Sequence, residues 1–401
     1  MLFRLWEPPG PQLPDPAWVP DRAGGRHLLV GRHADVRRVL ADPRTYRPDH
    51  ALDAVTPIPV AAMRILARHG FRLPPTLANN GTPSHPAIRA AVAVALDPVR
   101  VDAQRSWLTG LIRRRITALS CRLRAGQPVD LYADLAADLP LLVLARLVDL
   151  PPADVAVVRQ FSRAALELFW APLDPTRQQE LARIVGNYHR ALRRFATTGP
   201  GLVGRLRAHG HPPDVIVGVL FFLLVAGQET TSQFLTLLLH RLIDEPTVTA
   251  GLASGRVAAA DVVEEGLRLD SPIVTWRRVA TGDTTLGAVT VPAGTSIVLW
   301  LSRAGRDPSV VDSPNGFLPG QRGSRRHVAF GSGAHRCLGA TLSRMEASIV
   351  VGETAPLLRR VAILKGPSYS DNLSFRMPDT LLVTAATDRR NPDGSKDPCS
   401  S

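Results

Sequence analysis

HVAFGSGAHRCLGA, running from His327 to Ala340, places one cysteine behind a glycine-rich turn and ahead of an apolar run that reads as a helix. Gly331 and Gly333 permit turn geometries that a side chain would forbid. A helix beginning at Leu338 would aim its free amides and positive dipole end at the sulfur of Cys337, favouring thiolate over thiol. With Phe330 shielding one side, such a thiolate suits an axial ligand to haem iron. Other glycine motifs fail here: Arg336 stands where a nucleotide-binding fingerprint needs its third glycine. No glycine lies two residues before Ser332, so a nucleophile elbow fails as well. The bland reading is a buried structural cysteine after a loop.

The full pattern, Phe330-Gly331-x-Gly333-x-His335-x-Cys337-x-Gly339, resembles the haem-binding signature of the cytochrome P-450 family, the haem-thiolate monooxygenases. The resemblance makes Cys337 the metal ligand and Phe330, Gly331, His335 and Gly339 part of the haem site. It implies a mainly α fold, a helical bundle with small β-sheets enclosing a b-type haem, over nearly the whole chain.

Composition sets the outer bounds. The 401 residues can bury a large core, with 45% hydrophobic and 21% charged residues. The net charge of +13 is carried almost wholly by arginine, with only Lys365 and Lys396 as lysines. The arginines are scattered, without a basic block or interleaved aromatics, so nucleic acid is not the expected partner. Cys121, Cys337 and Cys399 form an odd set that argues against a disulfide framework and for a reducing cytoplasm. The N-terminus lacks a signal-peptide core. The longest apolar run, Val215 to Ala226, is too short to span a bilayer, so no membrane is expected either.

Three organisational pieces are expected: an extended N-terminal segment over residues 1–25, a haem domain over 26–386, and a disordered tail over 387–401. His27–Val30 reads as a strand and Ala34–Ala41 as a helix, before a long irregular piece from Tyr46 to Thr82. Helices are expected from near Ser84, over Val101–Ala125, Leu131–Val148, Ala153–Leu168, Pro175–Thr197 and Pro213–Asp244, and from Cys337 to Arg360. Asp261 with Glu264 gives a helix-start signature. A turn at Pro292-Ala293-Gly294 joins strand-like runs at Ala288–Val291 and Ser296–Trp300. A last strand falls within Thr380–Ala385.

Three further motifs gain meaning from the resemblance. His85 and Arg89 share a helix face, where alone they would be a solvated pair; the family's His-x-x-x-Arg holds a haem propionate, although the preceding NNGTPS departs from the usual acidic version. Ala226-Gly227-Gln228-Glu229-Thr230-Thr231 puts polar groups inside an apolar helix, where they are costly. Taken alone it is a satisfied polar kink; it resembles the distal acid–alcohol pair, Glu229 and Thr230, which relays protons to dioxygen, with Ala226 against the haem. Glu265-x-x-Arg268, otherwise a common ion pair, resembles the buried pair that locks the loop near the cysteine. Arg278 matches the position reaching the other propionate, and Gln321 departs from a family arginine.

The resemblance implies a monooxygenase using haem b, dioxygen and two electrons from NAD(P)H through ferredoxin reductase and ferredoxin, in the cytoplasm and as a monomer. Arg89, Arg336 and Arg344 are the candidate ferredoxin face. Leu77, Asn79, Phe222, Ile273, Val274 and Trp276 are the candidate substrate contacts, with Leu73, Ala78 and Ala226 beside them and Phe161 and Phe169 as a roof. The lining suits a medium-sized, largely apolar secondary metabolite, amino-acid- or peptide-derived or carrier-bound. Oxidative coupling, cyclisation or decarboxylation is the alternative chemistry, and a haem sensor the rival class.

Overall fold

A segment apolar on every face is stable as a helix only where protein surrounds it. In the computed structural model, which describes residues 2–6, 13–21, 24–150 and 155–386, Pro213–Asp244 is that helix. It is α-helical over Pro213–Leu224, opens into a π-helical turn over Val225–Glu229, and resumes over Thr230–Asp244. By length and composition it could cross a bilayer, yet most of it is packed inside the protein. Leu139–Val148, Val155–Trp170 and Pro175–Thr198 pack on its first half, and Ala340–Leu358 packs on its second, backed by Arg105–Arg124. One continuous apolar core runs through all of them.

Beside this bundle lies a five-stranded sheet in the order Ala17–Pro20, Arg26–Val30, Ser296–Trp300, Thr275–Ala280, Tyr46–Arg47. Arg26–Val30 and Ser296–Trp300 run parallel, and the other pairs are antiparallel. Register fixes Arg278 opposite Ile297, so the pleat presents its side chain to the bundle side, where it lines the central cavity. Val129–Asp130, Leu382–Ala385 and Val361–Lys365 make a second sheet, and Thr284–Leu286 pairs with Val289–Val291 in a hairpin. The mostly helical architecture with small sheets is the one expected.

Several local expectations need correction. The N-terminal segment is not simply extended over the surface: Leu2, Leu5 and Trp6 are buried against Val298 and Trp300, and the Trp300 indole N–H donates to the Leu5 carbonyl at 3.2 Å. Apolar residues ahead of the first proline thus pack on the sheet there. The irregular piece contains the strand Tyr46–Arg47 and a helix, Val60–Arg68, started after Pro59 and buried through Ala62 and Leu66. Leu131–Val148 divides into a π-helical Tyr132–Ala136 and a helix from Leu139, because Pro140 lacks the amide that a continuous helix requires. Val289–Val291 and Ser296–Trp300 are not partners of each other.

The helix Ala259–Leu269 has no side-chain cap; Asp261 binds Arg325, and Glu264 binds His327 and Arg344. Cys121 is disulfide-bonded, against the expectation of reduced cysteines. The tail 387–401, with Cys399, lies outside the described residues.

Candidate active site

Gly331 and Gly333 have φ of +67° and +69°, the left-handed region that glycine tolerates best. A Cβ on Gly333 would also stand 2.7 Å from the Leu40 carbonyl oxygen, so this loop packs as closely as a glycine allows. The turn closes with the Cys337 amide donating to the Phe330 carbonyl at 2.9 Å. The Arg344 guanidinium lies 4.5 Å from the centre of the Phe330 ring. The following helix begins at Ala340, later than Leu338, and the Gly339 amide donates to the Cys337 sulfur.

Cys337 is a free thiol, exposed because it lines a cavity, while the surrounding protein still counts as burial. That burial raises the thiol pKa, and the Gly339 amide with Arg89, Arg336 and Arg344 only partly offsets it. The Gly339 amide thus pulls toward the thiolate, as the sequence reading has it, against the opposing effect of burial. Coordination to a cation would remove the proton outright.

The cavity joins this loop to the central helix. Cys337, Phe330 and Leu342 lie on one side, and Phe222, Ala226, Gly227 and Thr230 on the other. Leu77, Ala78, Ile273 and Trp276 complete the walls as expected. Asn79 and Val274 are not among the lining residues. The Asn79 Oδ1 accepts from the Thr76 amide at 3.1 Å, and Val274, just ahead of the strand Thr275–Ala280, is buried in the cluster of Trp300 and Leu373. Leu73, Phe161 and Phe169 are likewise off the lining and part of the packed core.

Trp170 and Phe375 do line it, ring centroids 5.1 Å apart and edge-on, and sequence reasoning missed both. Trp170 ends the Val155–Trp170 helix, and its place after the apolar run Phe161–Phe169 is the only signal for it.

At the π-helical turn the Thr230 hydroxyl donates to the Ala226 carbonyl at 2.6 Å, leaving its lone pairs as acceptors. Glu229 is fully buried but is not a lining residue; it accepts from the Gln233 amide at 3.3 Å. Burial raises its pKa, with Arg163 and the amides of Gln233 and Gln228 opposing. The expected acid–alcohol neighbours thus diverge, the alcohol on the cavity and the acid behind it.

At the cavity edge, His85 and His335 stack with ring centroids 4.1 Å apart. The His335 Nε2 pairs with the Asn80 carbonyl at 3.0 Å. Arg89 reaches the Arg336 carbonyl at 2.6 Å, and Arg278 reaches the Arg277 carbonyl at 2.8 Å. Burial, His85, Arg278 and Arg89 push His335 down to about 4, and burial takes Arg278 down to about 10.

The buried His85 Nε2, His335 Nδ1 and Arg278 Nε have no partner, and such orphans imply a ligand or water. Donors on His85, Arg89 and Arg278 beside an apolar chamber with one thiol on its floor fit a planar macrocycle bearing carboxylates, whereas neutral His335 already donates from Nε2 to the Asn80 carbonyl and leaves Nδ1 as an acceptor. Among the described residues no group of three or more His, Cys, Asp or Glu side chains could hold a metal ion, so iron would arrive already held.

Behind the loop, Glu265 and Arg268 are buried and paired through two hydrogen bonds of 2.9 and 2.8 Å. Arg268 also donates to the carbonyls of Gly305, Ser313, Pro314 and Gly316. Glu265 accepts from the Leu318 amide, Ser324 and Gln321, the last at 2.5 Å. Gln321, the departure from the family pattern, thereby supports the same carboxylate.

The family model "Cytochrome P450" matches residues 259–358. Cytochrome P450-SU2 of Streptomyces griseolus is 32% identical over 88% of this chain and 85% of its own. The 20-oxo-5-O-mycaminosyltylactone 23-monooxygenase of Streptomyces fradiae is 30% identical over 84% and 79%. Among solved structures, cytochrome P450 CREJ in complex with (4-ethylphenyl) dihydrogen phosphate superposes with a TM-score of 0.87 at 26% identity, covering 93% of this chain and 94% of that one.

Proposed function

The chain belongs to the cytochrome P450 family of oxygen-incorporating oxidoreductases, and we propose that it hydroxylates a neutral, largely apolar secondary metabolite of medium size. The observation that carries this is a single apolar cavity shared by Cys337 and Thr230. Haem b, when bound, supplies activation of dioxygen with two electrons and transfer of one oxygen atom to the substrate.

In this reading Cys337 holds the iron, with Phe330, Gly331, Gly339 and Ala226 shaping its seat. His85, Arg89 and Arg278 meet the propionates at the cavity edge, and His335 backs them by stacking on His85. Thr230 presents acceptor lone pairs to the distal space, and Glu229 stands behind the turn as the proton source. Leu77, Phe222, Ile273 and Trp276 enclose the substrate without a charged group. Arg89, Arg278 and Arg336 are the arginines on the lining, and we place Arg89 and Arg278 at the propionates and Arg336 beside Cys337, so a free carboxylate finds no grip deep in the pocket. An amino-acid-derived or aromatic intermediate, free or carrier-bound, suits that wall.

We assign electron delivery to a ferredoxin in the cytoplasm, acting on a monomer. Of the three candidate arginines, Arg344 is paired with Glu264 at 2.5 Å, while Arg89 and Arg336 both border the cavity and Arg336 is the more exposed of the two. Arg336, exposed, is left as the steering cation.

The carrying test is the ferrous–carbonyl spectrum: wild type gives the red-shifted Soret band of thiolate ligation, and Cys337→Ala loses it. Retention of that band in the variant rules out Cys337 as ligand. A spin-state titration against fatty acids, terpenes, macrolides and aryl amino-acid derivatives tests the substrate class, and coupled turnover of a terpene or macrolide alone overturns it. First-electron transfer that ignores both salt and Arg336→Glu removes the ferredoxin assignment.

A further inference from the structure

The segment from His69 to Asn80 forms part of the cavity wall through Leu77 and Ala78, yet few of its own backbone groups hold it. It is pinned from outside, chiefly by the helix Pro175–Thr198. His189, only 2% exposed, sits with its Nε2 3.2 Å from the Arg72 carbonyl and 3.5 Å from the Arg72 amide. The Phe71 ring lies against the imidazole, centroids 4.8 Å apart, and also packs on Phe169 and Phe221. Arg193 donates to the Gly70 carbonyl at 2.9 Å, and Arg190 to the Arg68 carbonyl at 3.4 Å.

The ring of His69 lies directly over Gly186, so close that a Cβ there would stand 2.8 Å from it. Further along, Thr76 and Pro74 lie over Gly218 of the central helix. The segment ends where the Asn80 carbonyl meets His335.

We propose that His189 is a positioning residue that holds this segment closed over the cavity at neutral pH and releases it in acid. The shorter contact, to the Arg72 carbonyl at 3.2 Å, assigns the Nε2–H tautomer over acceptance from the Arg72 amide at 3.5 Å, and leaves the buried, unpartnered Nδ1 as a bare lone pair. Protonation adds an Nδ1–H with no acceptor and a charge in a buried site.

The charges facing it are mostly of the same sign: Arg193 on its own helix, with Arg190 beside His69, and His69 and Arg72 on the segment. Asp214, at the start of the central helix, is the one carboxylate opposing them, and it already pairs with Arg72 at 3.6 Å. Burial and Arg193 accordingly hold the His189 pKa below its ordinary value. The histidine stays neutral through the physiological range and charges only on acidification.

This inference rests on the oxygenase reading for the identity of the chamber, so the test separates the two. Association of phenyl isocyanide and of carbon monoxide with the ferrous holoenzyme is followed by stopped flow from about pH 7.5 to about 5. Both ligands need the haem, but only the isocyanide is bulky, and neither titrates in this range. Isocyanide association with wild type rises about fivefold in acid, the weight of one net hydrogen bond, while carbon monoxide association stays flat. His189→Gln can still donate to the Arg72 carbonyl but cannot charge, so its isocyanide rate is slow and independent of pH. His189→Phe keeps the stacking and loses the bond, so its rate is fast throughout.

Hydrogen exchange of residues 69–73, corrected for intrinsic rates, shows the same order. A flat wild-type isocyanide profile, a His189→Gln profile that tracks wild type, or loop exchange that changes without the isocyanide rate overturns the proposal. Loss of the carbonyl band would instead remove the haem reading.

Discussion

His85 and His335 lie ring on ring, 4.1 Å between centroids and 23° between planes, and this contact joins the His85–Ala93 helix to the cysteine loop. Stacking fixes the His85 ring while its Nε2 remains buried without a partner. If that nitrogen serves a propionate, His85→Phe should preserve the stack and lose the donor. Haem should then transfer to excess apomyoglobin roughly tenfold to a hundredfold faster, as for loss of a hydrogen bond to a charged group. An unchanged transfer rate would show that His85 only packs.

Thr230→Ala removes the hydroxyl that donates to the Ala226 carbonyl and faces the cavity. Haem binding and reduction should persist, because no thiol or propionate donor is touched. Product formation should fall by roughly a hundredfold, the low end for a positioned proton relay, with peroxide released per NADPH rising to match. Thr230→Ser, which keeps the hydroxyl, should recover most of the coupling. Equal coupling in wild type and Thr230→Ala would leave the threonine without a role in proton delivery.

Features are legible in the sequence to the extent that they are local. The cysteine turn depends on glycines a few residues apart, and Glu265 and Arg268 are one helical turn apart, so both patterns are visible in the sequence, although only the resemblance marks the pair as buried and not as a common surface one. The direction of Glu229 is different. A π-helical turn over Val225–Glu229 adds a residue to one turn and rotates the helix beyond it; the polar residues there mark a kink but not that rotation. Asn79, polar in a long loop, reads as a pocket amide; its side chain instead closes a turn on Thr76. Trp170 and Phe375 come from distant segments and meet only in three dimensions. Their periodicity is that of ordinary core, so no one-dimensional pattern could select them.

Glu346, on the Ala340–Leu358 helix, is 1% exposed and its Oε1 has no partner. Burial raises its carboxyl pKa well above the ordinary value, so it is protonated in the folded protein. The unfolded chain releases that proton above the ordinary carboxylate pKa, whereas the folded one keeps it. Stability contributed by this group is therefore complete below about pH 4 and declines as pH rises toward the folded-state value. Glu346→Gln keeps the shape without the titration, so its urea midpoint should depend less on pH. It should exceed wild type by ~1–3 kcal/mol at the alkaline end, the usual desolvation cost of a buried polar group. Parallel pH profiles for the two proteins would contradict a buried, protonated Glu346.

Arg268 is the donor around which the segment Gly305–Ser324 is arranged. Its side chain is 1% exposed and meets Glu265, which is 0% exposed, through two parallel hydrogen bonds. The remaining donors reach the carbonyls of Gly305, Ser313, Pro314 and Gly316, while Glu265 holds Leu318, Gln321 and Ser324 from the other side. A planar fork with five N–H groups can reach those six acceptors by sharing one N–H of Nη2; an ammonium on a flexible stem cannot. Arg268→Lys should keep the charge but leave several buried carbonyls unpaired. Destabilisation of ~3–5 kcal/mol is expected, as when a buried pair is broken. The segment leads directly into His327–Cys337, so haem per protein should fall alongside the melting temperature. Glu265→Gln should be milder, because the amide keeps one acceptor oxygen, which in the Oε1 position still serves Leu318 and Gln321, and loses only the Oε2 acceptor shared by Ser324 and the Arg268 Nε on the other side. An Arg268→Lys protein that melts like wild type and carries full haem would reduce the pair to an ordinary ion pair.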